Sequence, residues 1–194
     1  MSKIYVANHI SFDGVMQSPG RPDEDTRGGF SYGGWAEPGS TNEVLSALQK
    51  RVVQAGGLRL LLGRRSYSDM LSHWNKMGGE FTDGLNSAQK YVVSRSSAAS
   101  LPWPNSTLVT GDVPRGVAAL KADSGPDLCI MGSGQLIHTL LKHKLLDELL
   151  LFVHPLILGS GLRIFPDGGA AHKLELLNYS VANNGVCVQH YRVG

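Results

Sequence analysis

Two segments of this chain each run from a short apolar stretch through glycine into a helical pattern. This repetition restricts the fold more than any other feature. The first reads Leu60-Leu61-Leu62-Gly63-Arg64-Arg65-Ser66-Tyr67 and the second Cys129-Ile130-Met131-Gly132-Ser133-Gly134-Gln135-Leu136. A strand that feeds a helix through a tight turn is the building unit of a parallel sheet. The turn leaves the first N–H groups of the helix unpaired, and the helix dipole favours negative charge there, so such turns hold phosphate. Arg64 and Arg65 add fixed charge and a forked donor set that fits phosphate oxygens. Two such turns with an arginine pair point to a phosphorylated dinucleotide. Taken singly, each is also readable as a tight connection and nothing more.

Neither turn is a standard fingerprint. The Rossmann pattern needs a third glycine where this chain has Ile137, and Gly132 lies late in the sequence. No Gly-Lys-Ser/Thr sequence of a Walker A loop occurs. A chain of 194 residues suits one domain, 1–194, with a sizeable core. Hydrophobic residues at 42% and charged residues at 18% describe a globular chain, not a disordered one. A net charge of +2, with basic residues scattered, argues against nucleic acid as a partner. The apolar run over 145–158 is interrupted by Asp147, Glu148, His154 and Pro155, so no membrane span is expected. The first residues, Met1-Ser2-Lys3-Ile4, lack a signal-peptide core. Cys129 and Cys187 sit inside apolar runs and read as buried free thiols in a reducing, cytoplasmic setting. His138 and His143 are five apart and do not share a helix face. The histidines show no metal spacing, and no metal is expected.

Along the chain, strands are expected over residues 3–9, 58–62, 90–94, 107–110, 127–131 and 148–154. A closing hairpin pairs 173–180 with 186–192 about Asn183-Asn184-Gly185. Helices are expected from a capping box at Ser40-Thr41-Asn42-Glu43 to about 55, then over 66–72, 114–123 and 135–143. Residues 14–39 are rich in Gly, Pro, Asp and Ser and read as a long functional loop, mobile without ligand. Residues 73–88, with Gly78-Gly79 at their centre, read as a second flexible stretch. The total is eight strands and four helices.

This order of elements resembles the dihydrofolate reductase superfamily. It is most similar to the branch holding the reductase domain of the bifunctional riboflavin-biosynthesis deaminase/reductase and its stand-alone relatives. The resemblance is carried by Ser11-Phe12-Asp13-Gly14, Gly63-Arg64-Arg65-Ser66-Tyr67, Val93-Ser94-Arg95-Ser96, Gly132-Ser133-Gly134, Leu146-Asp147-Glu148-Leu149 and the run His154-Pro155-Leu156-Ile157-Leu158-Gly159-Ser160-Gly161. It spans nearly the whole chain. It implies a three-layer α/β/α fold with a central, mostly parallel eight-stranded sheet and a C-terminal antiparallel hairpin. It also implies that Gly63, Arg64, Arg65 and Ser66, with Ser94, Arg95 and Ser96, hold the 2′-phosphate and adenosine side of NADPH. Met131, Gly132, Ser133, Gly134, Gln135 and Leu136 would lie under the pyrophosphate near the nicotinamide. Arg95 is also readable as a solvated surface charge.

Two departures bear on substrate. Dihydrofolate reductases carry an acid on the first helix, and residues 45–49 hold none. The fused zinc deaminase signature is absent, and Gly56-Gly57 stand where the riboflavin reductases usually have Asp-Ala. Asp13 is a candidate to orient substrate or relay a proton, or else an Asx-turn residue before Gly14. Trp35 is a candidate stacking wall, or else an anchor for its loop. The expectation is therefore an NADPH-dependent reductase of a small heterocycle, acting by hydride transfer. The nearest named activity is reduction of 5-amino-6-(5-phosphoribosylamino)uracil. The alternatives are a pteridine or dihydrofolate-type reductase and a non-catalytic NADPH-binding protein. A homodimer is expected through apolar edges at Val181, Val186 and Val188.

Overall fold

Residues Ile4–Ser11 are buried along their whole length except for partial exposure at His9, and they form the first strand, β1. Burial on both faces is what a parallel strand flanked by helices requires. The computed structural model describes residues 1–36, 42–165 and 167–194. The further strands are β2 (Arg59–Gly63), β3 (Gln89–Val93), β4 (Ser106–Val109), β5 (Leu128–Ile130), β6 (Glu148–His154), β7 (Leu174–Val181) and β8 (Cys187–Val193). They form one sheet in the order β4-β3-β2-β5-β1-β6-β8-β7. The pairs from β4 to β6 are parallel, and β8 and β7 close the sheet antiparallel.

Among the described residues there are five α-helices: α1 (Asn42–Gln54), α2 (Arg64–Met77), α3 (Glu80–Ser87), α4 (Val113–Ala122) and α5 (Gly134–Lys142). Val44, Tyr67, Leu71 and Leu85 place α1, α2 and α3 on one face, packed with Tyr5, Leu60 and Leu62. Val117, Leu136, Ile137 and Leu140 place α4 and α5 on the other, packed with Ile4, Val6 and Leu61. The three layers match the expectation.

Three expectations need correction. Residues 73–88 are not a flexible stretch: α2 continues to Met77, and α3 follows after the Gly78-Gly79 hinge. Helix α2 begins at Arg64, so both arginines belong to its first turn. Val186 and Val188 are buried in the core rather than forming an exposed edge, while Val181 is exposed. Ser40 and Thr41 of the expected capping box, and Gly39 at the end of the long loop, lie outside the described residues.

At the amino ends of the strands sits a buried ion cluster. Glu148 meets Lys3 at 2.7 Å, Arg51 at 3.0 Å and His190 at 2.9 Å, and Arg51 also meets Asp127 at 2.9 Å. Burial works against ionisation of Glu148, but hydrogen bonds from His190 and Lys3 and the Arg51 charge hold its pKa down at about 2. Leaving that carboxylate without Arg51 would cost about 3–5 kcal/mol. These charges fasten one end of the sheet. The opposite, carboxyl end carries the turns.

Candidate functional site

Three adjacent strands, β3, β2 and β5, release their turns at the same edge of the sheet. The chain winds outward from β1 through β2, β3 and β4, then returns to β5 and crosses β1 to β6. Ligand crevices in open α/β sheets lie where the winding reverses, outside the carboxyl ends of the strands.

The turns after β2 and β5 are clasped together. The Ser133 hydroxyl accepts a hydrogen bond from the Gly63 N–H at 2.8 Å. A Cβ placed on Gly132 would come within 3.0 Å of the Ser66 hydroxyl, and Gly132 has φ +72°. Only glycine takes that backbone and that approach without strain. Ser133 itself has φ 62° and ψ 49°, a left-handed conformation that costs a non-glycine residue about 1–2 kcal/mol. On the other side of the second turn, the Asn8 side chain of β1 accepts from the Gly132 N–H at 2.6 Å. The turn is therefore held from both neighbouring strands.

Helices α2 and α5 start directly from these turns, and neither has a side-chain cap. Their leading N–H groups face the edge with the positive end of each helix dipole. Arg64 and Arg65 are exposed beside them and make no ion pair with a described residue. Arg65 acts electrostatically on Asp25 of the long loop. Past β3, the Ser94 hydroxyl accepts from the Ser96 N–H at 3.1 Å, and Arg95 is exposed. Met131 is half-buried, Gln135 is exposed, and Leu136 is buried against the sheet. The structure thus brings every expected cofactor-binding residue to one edge.

Asp13 is placed differently from the expectation of a proton carrier. Its carboxylate accepts from the Ser11 hydroxyl at 2.6 Å and from the N–H groups of Leu158 and Gly159 at 3.1 and 2.9 Å. The Ser11 bond first, then those N–H groups, outweigh burial and hold its pKa at about 2. Arg163 donates to its backbone carbonyl at 2.8 Å. These bonds fasten the exit of β1 to the segment after β6 and make Asp13 a scaffold for the loop.

The described part of the long loop is tied down. Gln17 donates to the carbonyls of Asp25 and Arg27 and accepts from the Leu162 N–H. The Ser18 hydroxyl reaches the Arg21 carbonyl, and Val15 pairs with Arg163 in an isolated bridge. A cavity of about 260 Å³ opens between Gln17, Arg27, Phe30 and Leu162, and none of the turn residues lines it. Trp35 donates its indole N–H to the Gln17 carbonyl at 2.7 Å and stands edge-on to His154 at 5.2 Å. It anchors its loop over a histidine pair that sequence reasoning missed: His9 Nδ1 lies 2.8 Å from His154 Nε2. The available signal was a histidine near the carboxyl end of each of two apolar strands. Only the strand order makes them neighbours.

Among the described residues no group of three His, Cys, Asp or Glu side chains could hold a metal. No described helix is long and apolar enough to cross a membrane.

Residues 2–188 match the family model described as the RibD C-terminal domain. A stretch of 103 residues is 31% identical to the uncharacterized protein YyaP of Bacillus subtilis (strain 168), and the match spans 53% of that protein's length. Among solved structures, a putative riboflavin biosynthesis protein from Shewanella sp. PV-4 superposes with TM-score 0.70 at 22% identity, over 100% of this chain and 99% of its own. A pyrimidine reductase-like protein from Corynebacterium diphtheriae gives TM-score 0.64 at 13% identity, over 100% and 92%. The Thermotoga maritima diaminohydroxyphosphoribosylaminopyrimidine deaminase/5-amino-6-(5-phosphoribosylamino)uracil reductase gives 0.62 at 14%, and this chain covers 57% of it.

Proposed function

The chain belongs to the RibD C-terminal domain family and has its dihydrofolate reductase-like fold, and from that premise we propose that it is a cytoplasmic, NADPH-dependent reductase of a small heterocycle. The observation that carries the proposal is the clasp between Gly63 and Ser133. It sets two uncapped helix N-termini side by side, with Arg64 and Arg65 next to them. An extended, doubly phosphorylated ligand lying across β5, β2 and β3 would meet the second turn, the first turn and the Ser94–Ser96 turn in succession. The two helix N-termini suit its pyrophosphate. The arginines suit a further phosphate, which favours NADPH over NADH.

The nicotinamide supplies the hydride, and this chain's part is to position it against the substrate and exclude water. The nearest named reaction is reduction of 5-amino-6-(5-phosphoribosylamino)uracil, which the Thermotoga relative's name includes. The pteridine alternative fits less well, because residues 45–49 within α1 hold no acid. A non-catalytic NADPH-binding protein would share the cofactor crevice and differ in turnover. We read residues 1–194 as one domain, supported by the single continuous sheet. We also propose a homodimer through β7, whose eight residues are all exposed. The experiment is a fluorescence titration with NADPH, followed by NADPH oxidation in the presence of pteridines, aminopyrimidines and quinones. Binding with turnover of one class supports the reductase; binding without turnover supports the non-catalytic alternative.

A further inference from the structure

The clasped turns account for a cofactor but not for the proton that a reduction consumes. When hydride reaches the carbon of a C=O or C=N group, the π pair moves to the heteroatom, which must take a proton. Asp13 cannot carry it at neutral pH: its oxygens are occupied and its pKa is held at about 2.

The histidine pair has the required properties. His9 lies on β1 next to Asn8, the residue that fastens the second turn, but on the opposite face of the sheet, toward α1. Its register partner on β6 is Phe152, with ring centroids 4.9 Å apart, and His154 follows two residues later on the same face. His154 is 2% exposed beneath Trp35, and His9 is the more open of the two. Their facing nitrogens are 2.8 Å apart, a distance for one N–H···N bond. Neither His9 Nε2 nor His154 Nδ1 has a partner among the described residues. Neither is sealed from solvent, since the Tyr5 hydroxyl is the one wholly buried side-chain polar atom among the described residues left without a bond.

Building on the reductase reading, we propose that His9 and His154 form a neutral proton relay, with His9 the ring that meets the substrate. A neutral imidazole has one N–H and one lone pair. Two such rings joined by one N–H···N bond present a donor at one outer nitrogen and an acceptor at the other. The substrate heteroatom takes the proton of His9 Nε2. His9 Nδ1 then gains the proton of His154 Nε2, and His154 Nδ1 takes from bulk solvent the one proton that the reduction consumes overall. A bound dihydronicotinamide would supply the hydride, its oxidation balancing the reduction of the substrate carbon. Neither ring ends charged, and both tautomers are inverted. Burial holds both rings well below the ordinary histidine pKa, at about 4, so the pair stays neutral at pH 7.

The test compares wild type with His9→Gln, His154→Gln and His9→Ala. The relay predicts NADPH affinity within threefold of wild type in all of them. It predicts kcat at least tenfold lower with the probe turned over, little change in KM, and partial rescue of His9→Ala by added imidazole. NADPH bound and oxidised by His9→Gln within twofold of the wild-type kcat overturns the relay and leaves the reductase reading standing. Wild-type protein that does not bind NADPH removes the reductase reading itself. Where no probe is turned over, ring ¹⁵N spectra of the NADPH-bound protein decide. Coupling across the inner nitrogens, with each ring averaged between two tautomers, supports the relay. One fixed tautomer per ring, or a charged ring, overturns it.

Discussion

Ser133 is held in a left-handed conformation while its hydroxyl accepts the Gly63 N–H at 2.8 Å, so one strained residue joins the turns of two parallel strands. Replacing it by Ala keeps the strain and removes the acceptor, which should cost about 1–2 kcal/mol. Replacing it by Gly removes the acceptor but relieves the backbone, and should recover about 1 kcal/mol relative to Ala. Urea unfolding of the three proteins checks this order. Equal stability of Ser133→Ala and Ser133→Gly would show that the left-handed conformation stores nothing.

Gly134 separates packing from ligand approach better than Gly132 does. A Cβ on Gly132 meets both a positive φ and the Ser66 hydroxyl, so a valine there strains the fold as well as any ligand site. A Cβ on Gly134 would meet only the flexible Met16 thioether, at 3.2 Å. Gly134→Ala should therefore fold with a midpoint close to wild type and bind NADPH at least fivefold more weakly. Unchanged affinity in that variant would assign the turn a structural role only.

The histidine pair also sets a pH dependence of stability. The folded pKa values lie near 4, below the ordinary histidine value of 6.5. The unfolded chain therefore binds more protons in that interval, so stability is complete above pH 6.5 and is lost as pH falls toward 4. For His154, which is 2% exposed, the loss is of order 2–3 kcal/mol. Glu148 and Asp13 add their own losses only below about pH 4.5, where their unfolded forms take up protons. Unfolding midpoints measured from pH 7 to pH 4.5 should fall in wild type and fall less in a folded His154→Gln variant. A flat wild-type profile over that range would contradict the burial of neutral rings.

Strand β7 predicts self-association. Leu174, Leu176, Leu177, Tyr179 and Val181 are all exposed along this edge, a long apolar strand that monomeric proteins avoid. Light scattering at micromolar concentration should give a dimer mass, and Leu176→Lys with Tyr179→Glu should give a monomer that keeps its fold. A wild-type monomer mass would refute this interface.

Much of the fold was legible because β2 and β5 are short apolar runs followed by glycine and a helical pattern. That pattern located both turns and the Arg64-Arg65 pair, and the Ser94-Arg95-Ser96 run after β3 marked the third turn. Helix α3 was not legible: its sequence, Glu80–Ser87, contains Gly84 and follows two glycines. It forms because Leu85 is buried and because the Lys90 ammonium, on the next strand, donates to the carbonyls of Leu85, Asn86 and Ala88 at its C-terminus. Tertiary contacts there override weak propensity. The inward facing of Val186 and Val188 depends on hairpin register, which alternation alone cannot set when both faces are apolar. The His9–His154 pair was invisible for a related reason: 145 residues separate them in sequence, and only the adjacency of β1 and β6 brings them together. Asp13 was found, but its partners at Leu158 and Gly159 lie equally far along the chain, so its occupied carboxylate could not be foreseen.

On the proposed reading, the edge formed by β3, β2 and β5 holds a phosphorylated nicotinamide dinucleotide. Parallel titrations of wild type and the Arg64→Ala/Arg65→Ala double variant with NADPH and NADH decide this. Wild type should bind NADPH at least tenfold tighter than NADH, a difference of about 1.4 kcal/mol, and the double variant should lose most of this preference. Equal affinity of wild type for the two cofactors, or binding of neither, rules this site out.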